Sequence, residues 1–175
     1  MSKKEVFINN LSKKPNEAIK ISPKFRTRII SIISDEDYKE GESCTTSEFA
    51  KRVGVSVGVI SNITAYGIIP STKSLIKIAD YKNKSIKYIL GLTDDPYFEK
   101  SENPSSFFIR LPQLIKEKNK KISDITNASG ITFTRNSIHL WLKRNNLPYI
   151  EFLLQLEEYF DVSVDYLLGR TDYKN

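Results

Sequence analysis

A group of basic and amide side chains lies between Thr134 and Asn145, in a stretch that contains no acidic residue. Helical spacing turns Ile138 and Trp141 to one side of this stretch and projects Arg135, Asn136 and His139 together on the other. Arginine forms two hydrogen bonds with guanine, and asparagine does the same with adenine. Cations at the end of such a helix suit phosphates. The candidate DNA-binding residues here are Thr134, Arg135, Asn136, Ser137, His139, Lys143, Arg144 and Asn145.

The competing interpretation of this stretch is a solvated helix face without a partner. Other kinds of chemistry have less support in the sequence. The single cysteine, Cys44, excludes a disulfide framework, and with the single His139 it leaves too few ligands for a zinc site. The chain has neither a phosphate-binding glycine loop nor a nucleophile motif. The sequence therefore predicts no catalytic residues, no metal, no cofactor and no enzyme activity.

Composition sets the broad class. The 175 residues carry a formal net charge of +6 and a pI near 9.2, a basicity that fits nucleic-acid or membrane-surface partners. No stretch approaches the ~18 consecutive apolar residues of a membrane span, and no apolar segment follows the first lysines. We therefore expect a cytoplasmic protein with neither a signal peptide nor a membrane partner.

An internal repeat divides the chain. A shift of 78 residues aligns Pro70 with Pro148 and Leu75 with Leu153, and identical residues continue to Asp94 and Asp172. The repeat predicts an arm at 1–20, a first domain at 21–94, a linker at 95–106 and a second domain at 107–175. Helical apolar spacing and capping residues predict five short helices in each domain, so the fold class is all-α.

Four local features of the helices are predicted. Thr134 caps the third helix of the second domain, and Thr46 caps the second helix of the first. Pro112 is placed in the first turn of its helix, where the missing N–H is not needed. The first domain has an enlarged polar loop over 34–44, and the second has about two extra residues near Thr132 before its third helix.

These residues resemble a known family. The segment from Glu48 to Ser56, followed by Ile60, Ser61 and Pro70, is similar to the helix-turn-helix of lambda-repressor/Cro-like (XRE-type) DNA-binding domains. The segment 159–172 is similar to the last helix and tail of that family. The resemblance implies two tandem five-helix lambda-repressor-like domains that bind duplex DNA. The enlarged loop and the two extra residues depart from the family pattern at places that set the tilt of the third helix.

The third helix of the first domain differs from its counterpart, because no charged residue occurs between Ser56 and Gly67. Such a surface suits a thymine methyl or one asparagine–adenine pair, but it does not attract phosphate. The alternative is a copy that has lost DNA contact and binds a protein partner instead. The DNA-binding candidates in this domain are Thr46, Ser47, Ser56, Val57, Ser61 and Asn62.

The last two helices of the domains carry opposite charge. Residues 70–90 have five lysines and one aspartate, whereas residues 148–168 have five acids and no base. One hypothesis is that these faces meet, either between the two domains as a pseudo-dimer or in self-association. The alternative is two solvated faces. The residues assigned to this contact are Lys73, Lys77, Lys84, Lys87, Glu151, Glu157, Glu158 and Asp165.

Together these features predict a sequence-specific regulator of transcription that binds double-stranded DNA. The small size and the lack of a sensor domain suggest a repressor of phage or mobile-element type, with two non-identical reading heads in one chain. The competing class is a protein-interaction adaptor or antirepressor built on the same domains. In that class, only the second domain contacts DNA, or neither does.

Overall fold

The computed structural model describes residues 22–36 and 44–175. The predicted arm at 1–20 and most of the enlarged loop lie outside the described residues. Every regular element in the described ranges is a helix, which confirms the all-α class. The chain divides into two compact units, Met1–Phe98 (unit 1) and Glu99–Asn175 (unit 2). None of the helices in these ranges is long and apolar enough to cross a membrane.

Ten helices occur in the described residues, five in each unit. Those of unit 1 are α1 (Pro23–Ser34), α2 (Thr46–Val53), α3 (Val57–Tyr66), α4 (Thr72–Lys82) and α5 (Ile86–Ile89). Those of unit 2 are α6 (Phe107–Glu117), α7 (Ile122–Thr126), α8 (Arg135–Arg144), α9 (Ile150–Phe160) and α10 (Val164–Leu167).

The core of unit 1 is formed by one apolar stripe from each helix. Phe25 of α1, Phe49 of α2 and Ile60 of α3 are completely buried. Leu75 of α4 and Ile86 of α5 close the core from the other side and are equally buried. Because each stripe follows the 3.6-residue period, burial of these side chains fixes the rotation of every helix about its axis.

The core of unit 2 is more aromatic than that of unit 1. The Trp141 ring of α8 lies 6.4 Å from the Phe107 ring, 5.0 Å from Phe133 and 5.7 Å from Phe152, measured between centroids. Phe133 and Phe152 are themselves 5.6 Å apart in an edge-to-face arrangement. Such pairs add about 0.5–1.5 kcal/mol each to the burial of their area. The cluster ties α8 to α6 and α9.

Helices α2 and α3 are joined by a tight turn. Gly54 ends α2 with φ +74°, and the N–H groups of Gly54 and Val55 both donate to the Ala50 carbonyl. The cap at the start of α2 is Thr45, whose hydroxyl accepts from the Glu48 N–H. The prediction that Thr46 is the cap is wrong by one residue. The Glu48 carboxylate accepts from the Thr45 N–H, and this reciprocal pair determines which threonine caps.

The corresponding connection in unit 2 is longer. The starts of α7 and α8 are 13 residues apart, whereas those of α2 and α3 are 11 apart, so two residues are added. The added segment is held in place, because the Gln155 side chain bonds to both the N–H and the hydroxyl of Thr132. Phe133, the next residue, is 5% exposed. The longer connection is therefore anchored to α9.

Pro112 does not lie in the first turn of its helix, as predicted from the sequence. It is the sixth residue of α6. An interior proline removes one backbone hydrogen bond and costs about 3 kcal/mol. The helix continues through it because Leu111 and Leu114 on either side are completely buried, while Pro112 itself is exposed. Packing of the apolar face outweighs the lost bond.

The second half of the predicted linker belongs to unit 2. The N–H of Ser101 donates to the Arg170 carbonyl at 2.8 Å, and the N–H of Ser105 donates to the Gly169 carbonyl at 2.9 Å. Gly169 has φ +73°, and a Cβ placed there would lie 2.3 Å from the Ser105 carbonyl carbon. Close backbone approach at Gly169 therefore fixes the chain that enters α6.

Candidate nucleic-acid interface

Helix α8 has one buried side and one polar side. Thr134 is its N-cap, as predicted, with its hydroxyl accepting from the Ser137 N–H at 3.3 Å. Ile138 is completely buried and Trp141 is 9% exposed, so both point into the core. The Ser137 hydroxyl accepts from the Thr134 N–H in return. The two hydroxyls thus fix the start of α8, which sets the position of every side chain that follows.

The outward side of α8 carries the predicted contact residues. Arg135, His139 and Lys143 are exposed and follow one another at four-residue spacing, which places them in one row along the helix. Asn136 and Arg144 are exposed in the neighbouring row. The row of three bases spans two helical turns, about 12 Å at 1.5 Å per residue. The structure therefore brings the predicted cations and amide together on one surface.

Leu140 and Asn145 complete this surface. Leu140 lies between Asn136 and Arg144 and is 37% exposed. Asn145 is exposed and ends the helix with φ +50°, so its backbone caps α8. The sequence analysis did not name Leu140 as a contact residue, although an apolar side chain among polar neighbours on a helix face is visible in the sequence. Apolar atoms at such a place can contact a thymine methyl.

Phe133 positions α8 and was not singled out from the sequence. It directly precedes the N-cap Thr134 and packs on Trp141 and Phe152. An apolar residue just before an N-cap commonly fixes the angle at which the chain enters a helix. That local pattern was available in the sequence. The partner Phe152 was not, because it is contributed by another helix.

The matching surface on α3 is apolar and neutral. Val57 is 46% exposed, and Ser56, Ser61 and Asn62 are exposed around it. Tyr66 at the other end of α3 is 63% exposed. On α2, Ser47 is exposed and Thr46 is half-buried. The predicted contact residues of unit 1 thus share a surface, but this surface lacks charge.

Gly58 lies on the exposed side of α3. No atom of the described residues approaches a Cβ built at this glycine within 4 Å, apart from its own chain neighbours and local helix backbone. Glycine in a helix interior costs about 1 kcal/mol relative to alanine. Packing within unit 1 therefore gives no reason for the glycine.

Cations near the α2–α3 motif bond to their own unit. The Arg26 side chain donates to the Thr64 carbonyl at 2.6 Å, which ties α1 to α3. The Lys77 ammonium donates to the Gly54 carbonyl at 2.5 Å, at the turn between α2 and α3. These contacts occupy two positive charges that would otherwise be available to a phosphate.

A charged cluster around Glu36 occupies further cations. The Glu36 carboxylate, 9% exposed, accepts from Lys82 at 2.5 Å, Tyr81 at 2.7 Å and Arg52 at 3.1 Å. Burial raises the pKa of this carboxyl, but the hydrogen bonds from Lys82, Tyr81 and Arg52 outweigh burial and hold the pKa below its ordinary value. The same hydrogen bond to Glu36 raises the pKa of the Tyr81 phenol. The cluster joins the ends of α1, α2 and α4.

Each unit contains an arginine clamp that the sequence analysis missed. In unit 1 the Arg28 guanidinium lies 4.1 Å from the Tyr88 ring centroid and pairs with Asp94 at 2.9 Å. In unit 2 the Arg110 guanidinium lies 4.5 Å from the centroid of the Tyr166 ring. It pairs with Asp172 at 2.7 Å. The tyrosines and aspartates align at the 78-residue shift, whereas the arginines are 82 residues apart, so one alignment without gaps does not reveal the clamp.

The residues predicted for contact between charged faces are in different environments. Lys73, Lys77 and Glu158 are exposed, and Lys84 and Lys87 are half-buried, whereas Glu151, Glu157 and Asp165 are buried. The Lys84 ammonium donates to the Pro96 carbonyl at 3.0 Å. Asp165 forms a buried ion pair with Arg170, a base just outside the window in which charge was counted. The charge of the acidic face is therefore smaller than the count over 148–168 suggested.

Two absences limit what chemistry the described residues offer. They hold no group of three histidine, cysteine or acidic side chains that could bind a metal ion. Cys44, a free thiol, is 7% exposed. His139 lies on the open side of α8. The described surface thus provides hydrogen-bonding and charged groups for binding.

Comparison of the chain with protein-family models, with curated proteins and with solved structures found no match. The interpretation of α8 therefore depends on this chain's own residues and on the physical chemistry of helix–DNA contacts. Two similar units with different surfaces provide an internal comparison.

Proposed function

We propose that this protein is a sequence-specific DNA-binding regulator of transcription, built from two tandem lambda-repressor-like helix-turn-helix domains. Unit 2 is its principal reading head. The observation that carries the proposal is the outward face of α8, where Arg135, Asn136 and His139 are exposed beside Lys143 and Arg144 with no acid in the helix.

The dimensions of α8 support this proposal. A major groove about 12 Å wide accepts one α-helix, and the N-terminal residues of the recognition helix contact the base edges. Arg135 and Asn136 are the first two residues of α8, and Lys143 and Arg144 are the last two. Groups that discriminate bases therefore lie at one end and phosphate-binding groups at the other. The buried Trp141 resists rotation of the helix about its axis.

A second function for unit 1 is favoured by the neutral face of α3. Val57 and Tyr66 are exposed there, and the segment has no charge with which to attract a phosphate. Protein interfaces are enriched in aromatic residues and depleted of charge at their centre. The alternative to two reading heads is thus an adaptor unit that binds a protein while unit 2 binds DNA.

Selection of bound duplexes from a random pool tests the proposal. The pool is presented at low salt to three proteins: the native chain, the variant Arg135→Ala/Asn136→Ala, and the matched variant Val57→Ala/Asn62→Ala in α3. Trp141 fluorescence checks that the core of unit 2 is intact in each. We expect the native chain to enrich a defined site and the α8 variant to lose it.

The α3 variant separates the two functions of unit 1. A shorter enriched site for this variant than for the native chain means that both units read DNA. An unchanged site supports the adaptor function for unit 1. If the native chain enriches no sequence at any salt concentration, the DNA-binding proposal is overturned.

A further inference from the structure

Four lysines surround the turn between α6 and α7. Lys116, Lys118, Lys120 and Lys121 are all exposed. Their ammonium groups form no hydrogen bond or ion pair with any residue that the structure describes. They are referred to below as the turn lysines. None of them is among the residues predicted from the sequence to contact DNA.

The backbone beneath the turn lysines is ordered by hydrogen bonds. The N–H of Lys118 donates to the Leu114 carbonyl, and the N–H of Lys120 donates to the Ile115 carbonyl, each at 2.9 Å. Asn119 closes the turn with φ +49°. The four side chains therefore extend from a defined turn between two helices.

The two acidic residues beside the turn are both occupied. Glu117 pairs with Lys174 at 3.0 Å. The Asp124 carboxylate accepts from the backbone N–H of Lys121 at 2.7 Å and so faces the start of α7. The positive charge of the turn is thus not cancelled by the acids nearest to it in sequence. A surface of this kind attracts a polyanion.

We propose that the turn lysines bind the phosphate backbone of the same duplex whose bases α8 reads. This inference rests on the proposed function. Helix α7 is the first helix of the α7–α8 motif, and such a helix crosses the DNA backbone when the second lies in the major groove. The turn lysines surround the N-terminal end of α7. They form a second contact with DNA that adds affinity without reading sequence.

Salt dependence measures this contact directly. Each phosphate neutralised by a lysine adds about 0.9 to the slope of log K against log salt concentration. Loss of two such contacts lowers the slope by about 1.8. Between ~50 and ~200 mM salt, the ratio of native to variant affinity then changes by about tenfold.

The test compares Lys118→Gln/Lys120→Gln with the matched variant Lys24→Gln/Lys100→Gln. Both variants remove two positive charges from exposed lysines, and the second pair lies away from the α7–α8 motif in sequence. Binding to a fluorescent random-sequence duplex is titrated by anisotropy over the salt range. Circular dichroism and Trp141 fluorescence check folding. We expect a smaller slope for the turn variant only, and the same sequence preference as the native chain in duplex selection.

Two results would overturn the inference while leaving the proposed function intact. In one, the native chain binds DNA and the turn variant keeps the native slope. In the other, both variants lose slope equally, which makes the effect one of net charge. Absence of DNA binding by the native chain at every salt concentration overturns the proposed function, and the inference with it.

Discussion

The two units contain the same order of five helices but use their cations differently. In unit 1, Arg26, Arg52 and Lys77 donate to a carbonyl, a carboxylate and another carbonyl of their own unit. In unit 2, Arg135 and Lys143 on α8 are exposed. The comparison teaches that a repeat can preserve its helices and core while the same kind of charge changes from a structural to a binding role.

The largest expected effect sharpens the comparison of the two tails. Gly169→Ala forces a Cβ to within 2.3 Å of the Ser105 carbonyl carbon at a positive φ. We expect unit 2 to lose about 3 kcal/mol or more of unfolding free energy, because the docked backbone of 101–106 has to move. Urea unfolding followed by Trp141 fluorescence reports on unit 2, since this tryptophan is the single one in the chain.

Gly91→Ala is the matched control at the equivalent position of unit 1. Its φ is +71°, and its nearest neighbour is the side-chain Cβ of Lys24 at 3.1 Å. The expected loss is about 1–2 kcal/mol, the cost of a left-handed residue with a Cβ. Circular dichroism measures it. Equal losses at both glycines would contradict the tight docking of 101–106.

The next effect concerns the reading surfaces. Arg135→Ala should weaken binding to a selected duplex by about 1–3 kcal/mol and relax the preference at one base, if this arginine contacts guanine. The matched change at the equivalent position of α3 is Val57→Ala, for which we expect less than about 0.5 kcal/mol. Anisotropy titrations on single-base variants of the duplex provide both values. A larger loss for Val57→Ala would reverse the assigned roles of the units.

A smaller effect tests the structural role of cations in unit 1. Glu36→Gln removes the carboxylate that Arg52, Tyr81 and Lys82 share. We expect unit 1 to lose about 1–2 kcal/mol of unfolding free energy, because hydrogen bonds to a charged group become weaker neutral ones. Circular dichroism follows the unfolding, with the Trp141 transition of unit 2 as an internal reference. An unchanged unit 1 would show that the cluster contributes no stability.

The smallest effect is the pH dependence of the same cluster. Hydrogen bonds from Lys82, Tyr81 and Arg52 hold the pKa of Glu36 below 4.5 in spite of its burial. A carboxyl whose pKa is lowered by folding stabilises the folded state above the unfolded pKa and loses this contribution as pH falls through the folded pKa. Unit 1 should therefore lose stability below pH ~4.5, and Glu36→Gln should lose less. Identical acid unfolding curves for the two proteins would contradict this.

Local signals in the sequence were enough for α8. Thr134 as N-cap and the inward side chains Ile138 and Trp141 were predicted from spacing and from one capping residue, and all three predictions are confirmed. The exposed row that follows is a geometric consequence of this register. Features that depend on residues close in sequence were thus accessible before the structure was known.

Features that depend on contacts between distant segments were not accessible. The Glu36 cluster joins residues up to 46 positions apart, and the Arg110 clamp reaches Asp172 across 62 positions. The position of Pro112 was wrong because the packing of α6 outweighs a local rule about proline. The choice of Thr45 over Thr46 depends on the reciprocal bond with Glu48.

The central claim is that DNA contacts unit 2 through α8 and the turn before α7, and the most direct test is residue-resolved mapping. Backbone amide shifts of the full 20.1 kDa chain are recorded by NMR as a duplex is added at low salt. We expect the largest changes in residues 116–121 and 134–145, with 56–66 little affected. Changes concentrated in 56–66, or spread evenly over both units, would contradict the claim.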